Sequence, residues 1–124
     1  ADEVIDRIGL GDVADVTVGT LPTGTARLVE LARALACEPS VLLLDEASSG
    51  LDEEETASVG ELLSRLVDES DLGILLVEHD MKVGMGICQR IAVLEYGRKI
   101  AEGTPSDVLS DHEVIRAYLG DDNA

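Results

Sequence analysis

Two uninterrupted runs of aliphatic residues, at positions 41–44 and 74–77, interrupt a chain whose apolar residues otherwise recur mostly at helical spacing. Runs of this length are typical of strands that are buried on both faces. Between residues 26 and 36 the apolar positions lie three or four apart, which predicts a helix that ends before Pro39. Two buried strands joined by a helix form a right-handed parallel crossover. The pattern therefore predicts an α/β fold.

The remaining segments extend this pattern towards the C-terminus. Residues 10–20 are expected to form a loop region with room for a short helix, and the turn Tyr96-Gly97 joins two strands into a hairpin. A short helix is expected to begin at Thr104 and Pro105, with Thr104 as its N-cap and Pro105 in its first turn. The other expected helices cover residues 2–8, 26–36, 52–67, 81–88 and 111–119, and the expected strands cover 41–44, 73–78, 91–95 and 98–101. The fold class is thus a mostly parallel sheet with covering helices and a C-terminal β-hairpin.

Composition supports a folded domain with an aliphatic core. Of the 124 residues, 45% are apolar, and there is no Phe or Trp. Packing therefore depends on Leu, Val, Ile and Ala, which suits parallel strands covered by helices. Cys37 and Cys88 are isolated thiols without metal-ligand spacing, so we interpret them as helix packing in a reducing compartment.

The charge of the chain excludes some partners. The formal net charge is −17, and the nine Lys and Arg residues are scattered along the sequence. Nucleic acids and anionic membrane surfaces are bound by clustered basic residues, so neither is expected as a direct partner. No apolar run approaches the ~18–20 residues that span a bilayer, so no direct membrane insertion is expected. Any role at a membrane must go through a partner protein.

Acidic and imidazole side chains follow the two aliphatic runs. Asp45 and Glu46 come directly after the first strand, and His79 follows the second. One carboxylate suffices for Mg²⁺, which keeps a mostly aqueous octahedral shell, and a second can orient a water. The alternatives are ordinary: the acids cap a turn, and His79 caps the helix that begins near Met81. The carboxyl ends of parallel strands are, however, where open α/β sheets bind ligands.

Four motifs occur in a fixed order: LPTGTARLVELARAL at 21–35, VLLLDEASSGLD at 41–52, ILLVEHD at 74–80 and IAVLEYGRKIAEGTP at 91–105. This order and spacing resembles the C-terminal half of an ATP-binding-cassette (ABC) ATPase of the P-loop NTPase class, nearest to the subunits that import branched-chain amino acids or urea. The resemblance covers essentially the whole chain. It implies ATP and Mg²⁺ as cofactors, and a division into the end of a helical subdomain (residues 1–39) and the C-terminal part of the ATPase core (residues 40–124).

The resemblance also implies a role for each motif residue. Asp45 would hold Mg²⁺, Glu46 would polarise the attacking water, and His79 would contact the γ-phosphate. The signature segment, residues 21–25, and the D-loop, residues 48–52, would face the second ATPase subunit and its nucleotide. The nucleotide-binding candidates are Leu21, Pro22, Thr23, Gly24, Thr25, Ser49 and Asp52.

Some residues depart from the family's pattern. The common signature reads Leu-Ser-Gly-Gly-Gln, so Pro22 and Thr23 replace a serine and a glycine, and an ordinary helix cap is the alternative role for Thr23. By the same resemblance, residues 41–46 correspond to the family's Walker B strand, and Ala47 replaces the proline that usually follows its glutamate. No Gly-x-x-x-x-Gly-Lys-Ser/Thr stretch occurs in the 124 residues, so the phosphate-binding loop of the family is missing here. In the family its strand lies between the strand that ends at His79 and strand 91–95. Without that strand, two sheet edges are exposed and the chain is expected to be marginally stable, strand-swapped or rearranged.

These observations lead to one leading hypothesis and two rivals. The first is the ATP-hydrolysing subunit of a transporter, which acts with a second ATPase subunit and transmembrane permease subunits on the cytoplasmic face of the membrane. The second is a non-catalytic interaction module that supplies the signature and D-loop to another ATPase. The third is a soluble cassette ATPase without a role in transport, which the charge and the importer-like tail disfavour. The chain alone is not expected to hydrolyse ATP, because nothing replaces the loop that holds the phosphates.

Overall fold

A computed structural model describes residues 1–120, which fall into two compact units, residues 1–79 and residues from 80 onward. The boundary predicted between residues 39 and 40 lies within the first unit and stays a prediction. Among the described residues, no helix has both the length and the apolar character that a bilayer span requires. Each unit contains one two-stranded sheet with helices.

The first unit has the expected order of helices and strands. Two single 3-10 turns, Gly11–Val13 and Val18–Thr20, occupy the loop that was expected after the first helix. The helices are α1 (Asp2–Ile8), α2 (Thr23–Leu35) and α3 (Glu53–Glu69), and the strands are β1 (Val41–Asp45) and β2 (Gly73–Val77). Helix α2 begins three residues before its expected start, so it includes part of the signature segment.

Local signals in the sequence define the ends of these helices. Helix α1 ends at Gly9, whose φ of 82° is favourable only for a residue without a side chain. Helix α3 begins with a capping box, in which the Asp52 carboxylate accepts the Glu55 N–H at 2.7 Å and the Glu55 carboxylate accepts the Asp52 N–H at 3.0 Å. Such a box stabilises the helix start by about 1 kcal/mol.

Strands β1 and β2 are parallel and in direct register, with Leu43 opposite Leu75, so the predicted parallel pairing is confirmed. The prediction that β1 is buried on both faces is wrong. Leu42 is buried, but on the other face Leu43 and Leu75 are 70% and 60% exposed, and Val41 and Val77 are exposed as well. Helix packing within the described part of the unit covers one face of this strand pair only. The aliphatic run nevertheless has the composition of a strand that is covered on both sides.

The second unit contains the predicted hairpin. Its strands β3 (Ile91–Glu95) and β4 (Arg98–Gly103) are antiparallel, and Tyr96 and Gly97 turn the chain with φ values of 49° and 75°. The described part of this unit also contains the helices α4 (Met81–Ile87), α5 (Pro105–Leu109) and α6 (His112–Val114). Its core consists of Val93, Val108 and Val114, with Met81 and Met85 packed against them.

The C-terminal helix differs from the expectation for residues 111–119. Only His112–Val114 is α-helical, and Ile115–Leu119 continues as a π-helical turn. The wider turn accompanies a hydrogen bond from the Tyr118 hydroxyl to the Leu94 carbonyl and an ion pair between Arg116 and Glu95 at 3.6 Å. Helical periodicity cannot reveal such a turn, because these contacts join residues far apart in sequence.

The hairpin carries an acid-sensitive cluster. Lys99 and Arg90 donate hydrogen bonds to Glu102 at 2.5 and 2.8 Å, and these bonds lower the pKa of Glu102 to about 2. A carboxylate whose pKa is lower in the folded state stabilises the fold above its unfolded value of about 4.3, and this contribution is lost as the pH falls from there towards 2. We expect the Glu102 carboxyl carbon to titrate with a midpoint near pH 2 in an NMR experiment.

The two lysines of the chain provide a matched pair for this titration. Lys99→Ala should raise the midpoint of Glu102, because it removes the strongest cause of the shift. Lys82→Ala removes the same charge from helix α4 and should leave the midpoint where it was. A wild-type Glu102 midpoint above about pH 4 would show that Lys99 and Arg90 do not hold this carboxylate in solution.

Candidate functional site

The paired acids lie where β1 ends. Asp45 is the last residue of the strand, and Glu46 adopts a left-handed conformation with φ of 51°. This conformation is unfavourable for a residue with a side chain, and such residues cluster at functional sites. The Glu46 N–H donates to the Val77 carbonyl at 2.7 Å, which holds the turn against the end of β2.

The structure brings Glu46 and His79 together. Because β1 and β2 are parallel, their carboxyl ends meet at one edge, and the Glu46 Oε1 atom lies 3.5 Å from His79 Nδ1. Both side chains are at least half exposed, so a ligand can reach them. The alternative role of His79 as a helix cap is wrong: the N-cap of α4 is Asp80, whose carboxylate accepts the Lys82 N–H at 2.9 Å.

The donor groups at this edge suit a metal ion that needs few protein ligands. Among residues 1–120, no cluster of three or more His, Cys, Asp or Glu side chains forms a complete metal site. Asp45 presents an exposed carboxylate at the strand end, and one carboxylate with water is the kind of protein contribution that Mg²⁺ accepts. A fully coordinated Zn²⁺ or Ca²⁺ site would require more ligands. Asp45 therefore fits Mg²⁺ bound largely through water.

The signature segment forms the first turn of a helix. Leu21 is extended, Pro22 is the N-cap of α2, and Thr23, Gly24 and Thr25 are its first three residues. No side chain caps this end, so the alternative role of Thr23 as a helix cap is wrong. The N–H groups of a first helical turn have no partner within the helix and favour anions.

Helix α2 contacts the D-loop of the same chain. The Arg27 guanidinium donates to the Ser49 carbonyl at 3.4 Å, and a methyl group placed on Gly50 would lie 3.5 Å from Thr23 Cγ2. A methyl group on Gly24 would lie 2.7 Å from Glu55 Oε1, so a side chain there would displace the carboxylate that completes the capping box at Asp52. The signature segment and the D-loop thus form a second cluster, which Ser48 connects to Glu46 and His79 through Glu78.

Sequence reasoning missed one residue of this site. The Glu78 side chain is only 4% exposed, accepts a hydrogen bond from Ser48 Oγ at 2.7 Å, and lies 3.5 Å from His79 Nδ1. An acid at the end of an aliphatic strand, directly before His79, was the available signal. The hydropathy pattern predicts Glu78 only as the last residue of the strand 73–78.

Solved structures with the same architecture define the class of this protein. The chain superimposes on cbiO1 from Clostridium perfringens, described as part of the ABC transporter complex cbiONQ, with a TM-score of 0.84 and 32% identity. The match covers 93% of this chain and 46% of that one. With acids and a histidine at the ends of adjacent parallel strands, the fold is that of an ATP-binding cassette, which belongs to the P-loop NTPases.

Sequence comparisons lead to the family. The model of the ABC transporter family matches residues 1–49, and the model described as branched-chain amino acid ATP-binding cassette transporter matches from residue 98 to residue 124. The high-affinity branched-chain amino acid transport ATP-binding protein LivG of Salmonella typhimurium is 42% identical over 94% of this chain. The methionine import ATP-binding protein MetN 1 of Burkholderia orbicola is 43% identical over 95%. The chain belongs to the ABC transporter ATPase family.

The chain spans between about a third and a half of the length of the relatives that it matches. It covers 46% of LivG and 35% of MetN 1. The comparisons confirm the family and the fold that the four motifs predicted. They do not test the individual site residues, which stay predictions supported by the geometry described above.

Proposed function

We propose that these residues belong to the ATP-hydrolysing subunit of an ABC importer, with branched-chain amino acids, urea or a similar small solute as cargo. The observation that carries the proposal is the pairing of Glu46 with His79, 3.5 Å apart at the ends of two parallel strands. The resemblance to LivG supports the choice of cargo, because that protein is named for branched-chain amino acid transport.

The geometry supports a division of roles at the strand ends. Glu46 is partly exposed beside His79, so its carboxylate can accept a proton from the water that attacks the γ-phosphate. His79 can donate an N–H to a phosphate oxygen. Asp45 would hold Mg²⁺, which neutralises charge that develops on the phosphates. The backbone turn at Glu46 keeps the three side chains at one edge of the sheet.

The second cluster would act on a partner subunit. Residues 21–25 place N–H groups at a helix start, and Ser49 and Asp52 lie in the loop packed against that helix. In the proposed dimer, this surface meets the nucleotide of the second ATPase subunit. Transmembrane permease subunits would complete the transporter, so the protein would work at the cytoplasmic face of the membrane.

The proposal makes a direct prediction for the 124-residue chain. We expect it to release no phosphate from Mg-ATP above the background of its Glu46→Gln variant, because it has no glycine-rich loop and lysine to hold the β- and γ-phosphates. A coupled phosphate-release assay over a range of ATP concentrations measures this. Turnover that disappears in Glu46→Gln would show that the chain binds the phosphates by another route.

Transport itself is tested in the source cells. Disruption of the complete gene that carries these residues should abolish high-affinity uptake of labelled leucine, isoleucine and valine, or of urea. The wild-type gene should restore uptake, and a Glu46→Gln gene should not. Normal uptake of all these solutes after disruption would contradict the proposed cargo.

One observation favours a second function, a non-catalytic module that supplies the signature and D-loop to another ATPase. The 124 residues contain this packed pair of segments without a phosphate-binding loop. Such a module would bind an intact cassette subunit through Gly24 and Asp52. A pull-down with that subunit, in which Gly24→Arg and Asp52→Ala each abolish binding while uptake survives Glu46→Gln, would favour this second function over the first.

A further inference from the structure

Glu78 is an almost completely buried carboxylate to which no motif in the sequence gave a role. It follows β2 directly and its side chain is 4% exposed. A buried carboxylate is costly unless donors surround it, so its position demands compensating contacts. Two of these contacts lead to residues of the proposed ATPase site.

The two oxygens of Glu78 connect two separate chain segments. Oε2 accepts the Ser48 hydroxyl at 2.7 Å, and Oε1 accepts the His79 backbone N–H at 3.1 Å. Ser48 lies in the turn after β1, two residues beyond Glu46, whereas His79 follows β2. Hydrogen bonds to a charged acceptor are stronger than neutral ones, and burial shields them from water. The carboxylate therefore joins the two loops that follow the parallel strands.

This connection also bears on the strained turn. Glu46 has a φ of 51°, a conformation that persists only where neighbouring contacts enforce it. One such contact is the Glu46 N–H bond to the Val77 carbonyl, and the bond from Ser48 to Glu78 holds the same turn two residues later. Loss of the second contact would let the turn relax towards a more favourable conformation.

The imidazole of His79 lies between two carboxylates. Its Nδ1 atom is 3.5 Å from Oε1 of Glu46 and 3.5 Å from Oε1 of Glu78. Both carboxylates lie on the Nδ1 side of the ring, which limits the orientations of the ring and leaves Nε2 directed away from them. Glu46 is exposed and would interact with water and substrate. Glu78 is buried, so it is the carboxylate that stays beside the His79 ring.

We propose that Glu78 is a positioning residue: it holds the Ser48 turn and the His79 ring in the arrangement in which Glu46 and His79 face the same ligand. The importance of this arrangement for catalysis rests on the proposed ATPase function. The arrangement itself does not depend on nucleotide, so it can be tested on the 124-residue chain.

The test uses NMR on the wild-type chain and on Glu78→Ala, Glu78→Gln and Ser48→Ala. In Glu78→Ala we expect the His79 amide to exchange with solvent about 10-fold faster or more, because it loses a charged acceptor. The ring ¹⁵N resonances of His79 should also shift, because the ring loses one of the two carboxylates beside Nδ1. Glu78→Gln keeps one acceptor oxygen and should show an intermediate change. Ser48→Ala should move the Glu46 and Ala47 amides and leave the His79 amide in place.

The chain offers two controls. Glu53→Gln removes one negative charge at an exposed position of the same unit and should leave His79 unchanged. His112 is the only other histidine, so its ring resonances serve as an internal reference in every spectrum. Protection of the α3 amides around Leu66 shows whether the unit stays folded.

Two results would overturn the proposal. One is an unchanged His79 ring and amide in Glu78→Ala. The other is an equal rise in exchange at all amides of the unit, which would mean that Glu78 contributes to general stability and positions nothing. Neither result affects the uptake experiment, and a failure of uptake leaves these spectra unchanged, so the two proposals fail separately.

Discussion

Glu46→Gln is expected to lower the ATP turnover number by about 10²- to 10⁴-fold in a polypeptide that carries these residues together with a phosphate-binding loop. Glutamine has nearly the same shape as glutamate but cannot accept a proton from the attacking water. The KM for ATP should change little, because the substitution removes an interaction made in the transition state. Steady-state phosphate release at saturating Mg-ATP gives kcat, and its dependence on ATP concentration gives KM.

Glu53→Gln is the matched control for this experiment. It makes the same chemical change at an exposed residue in the first turn of α3, and its turnover should equal that of the wild type. If Glu46→Gln retains more than about a tenth of the wild-type kcat, the loss is too small for a general base, and Glu46 does not have the proposed role.

Leu66→Ala is expected to cost about 2–5 kcal/mol of unfolding free energy in the 124-residue chain. Leu66 is 0% exposed and lies on the buried face of α3, near Leu62 and Leu63 in sequence. Its truncation removes apolar contacts and leaves a cavity that the neighbouring helices fill only in part. Since domains of this size are stable by only about 5–15 kcal/mol, this loss is a large fraction of the total stability. Urea unfolding followed by circular dichroism measures the difference.

Leu75→Ala provides the comparison for Leu66→Ala. The same side chain is truncated in the same unit, but Leu75 is 60% exposed on the uncovered face of β2. We expect a change within about 0.5 kcal/mol, because surface truncations remove few contacts. Equal losses in the two variants would show that another chain covers the exposed sheet face in solution, for example through self-association.

The local structure of this protein follows closely from its sequence. Gly9 ends α1, Asp52 with Glu55 begins α3, and Thr104 with Pro105 begins α5, as their side-chain chemistry predicts. Each of these signals acts through hydrogen bonds or steric limits within four residues. The predicted start of α2 lies three residues too late, because Thr23 and Gly24 are weak helix formers. Their neighbours Glu55 and Gly50 lie in α3 and in the D-loop, which are distant in sequence.

Predictions that depended on burial were less successful. The composition of β1 indicates a strand covered on both faces, yet Val41 and Leu43 are exposed in the described structure. A sequence pattern reports the environment to which a strand is adapted, whereas burial depends on which segments are present to cover it. The chain spans only about half the length of relatives such as LivG. The burial observed for β1 therefore differs from the burial that its composition indicates.

The sequence by itself determined the α/β class, the order of the helices and strands, the family, and the identity of Asp45, Glu46 and His79 as candidates, because these depend on periodicity, local hydrogen bonding and motif spacing. Only the tertiary structure decided that Glu46 and His79 lie 3.5 Å apart, that Glu46 adopts a strained turn, and that Glu78 is buried between Ser48 and His79. These features arise where two strands some 30 residues apart in the chain align in register, and such long-range contacts leave no periodic signal in the sequence.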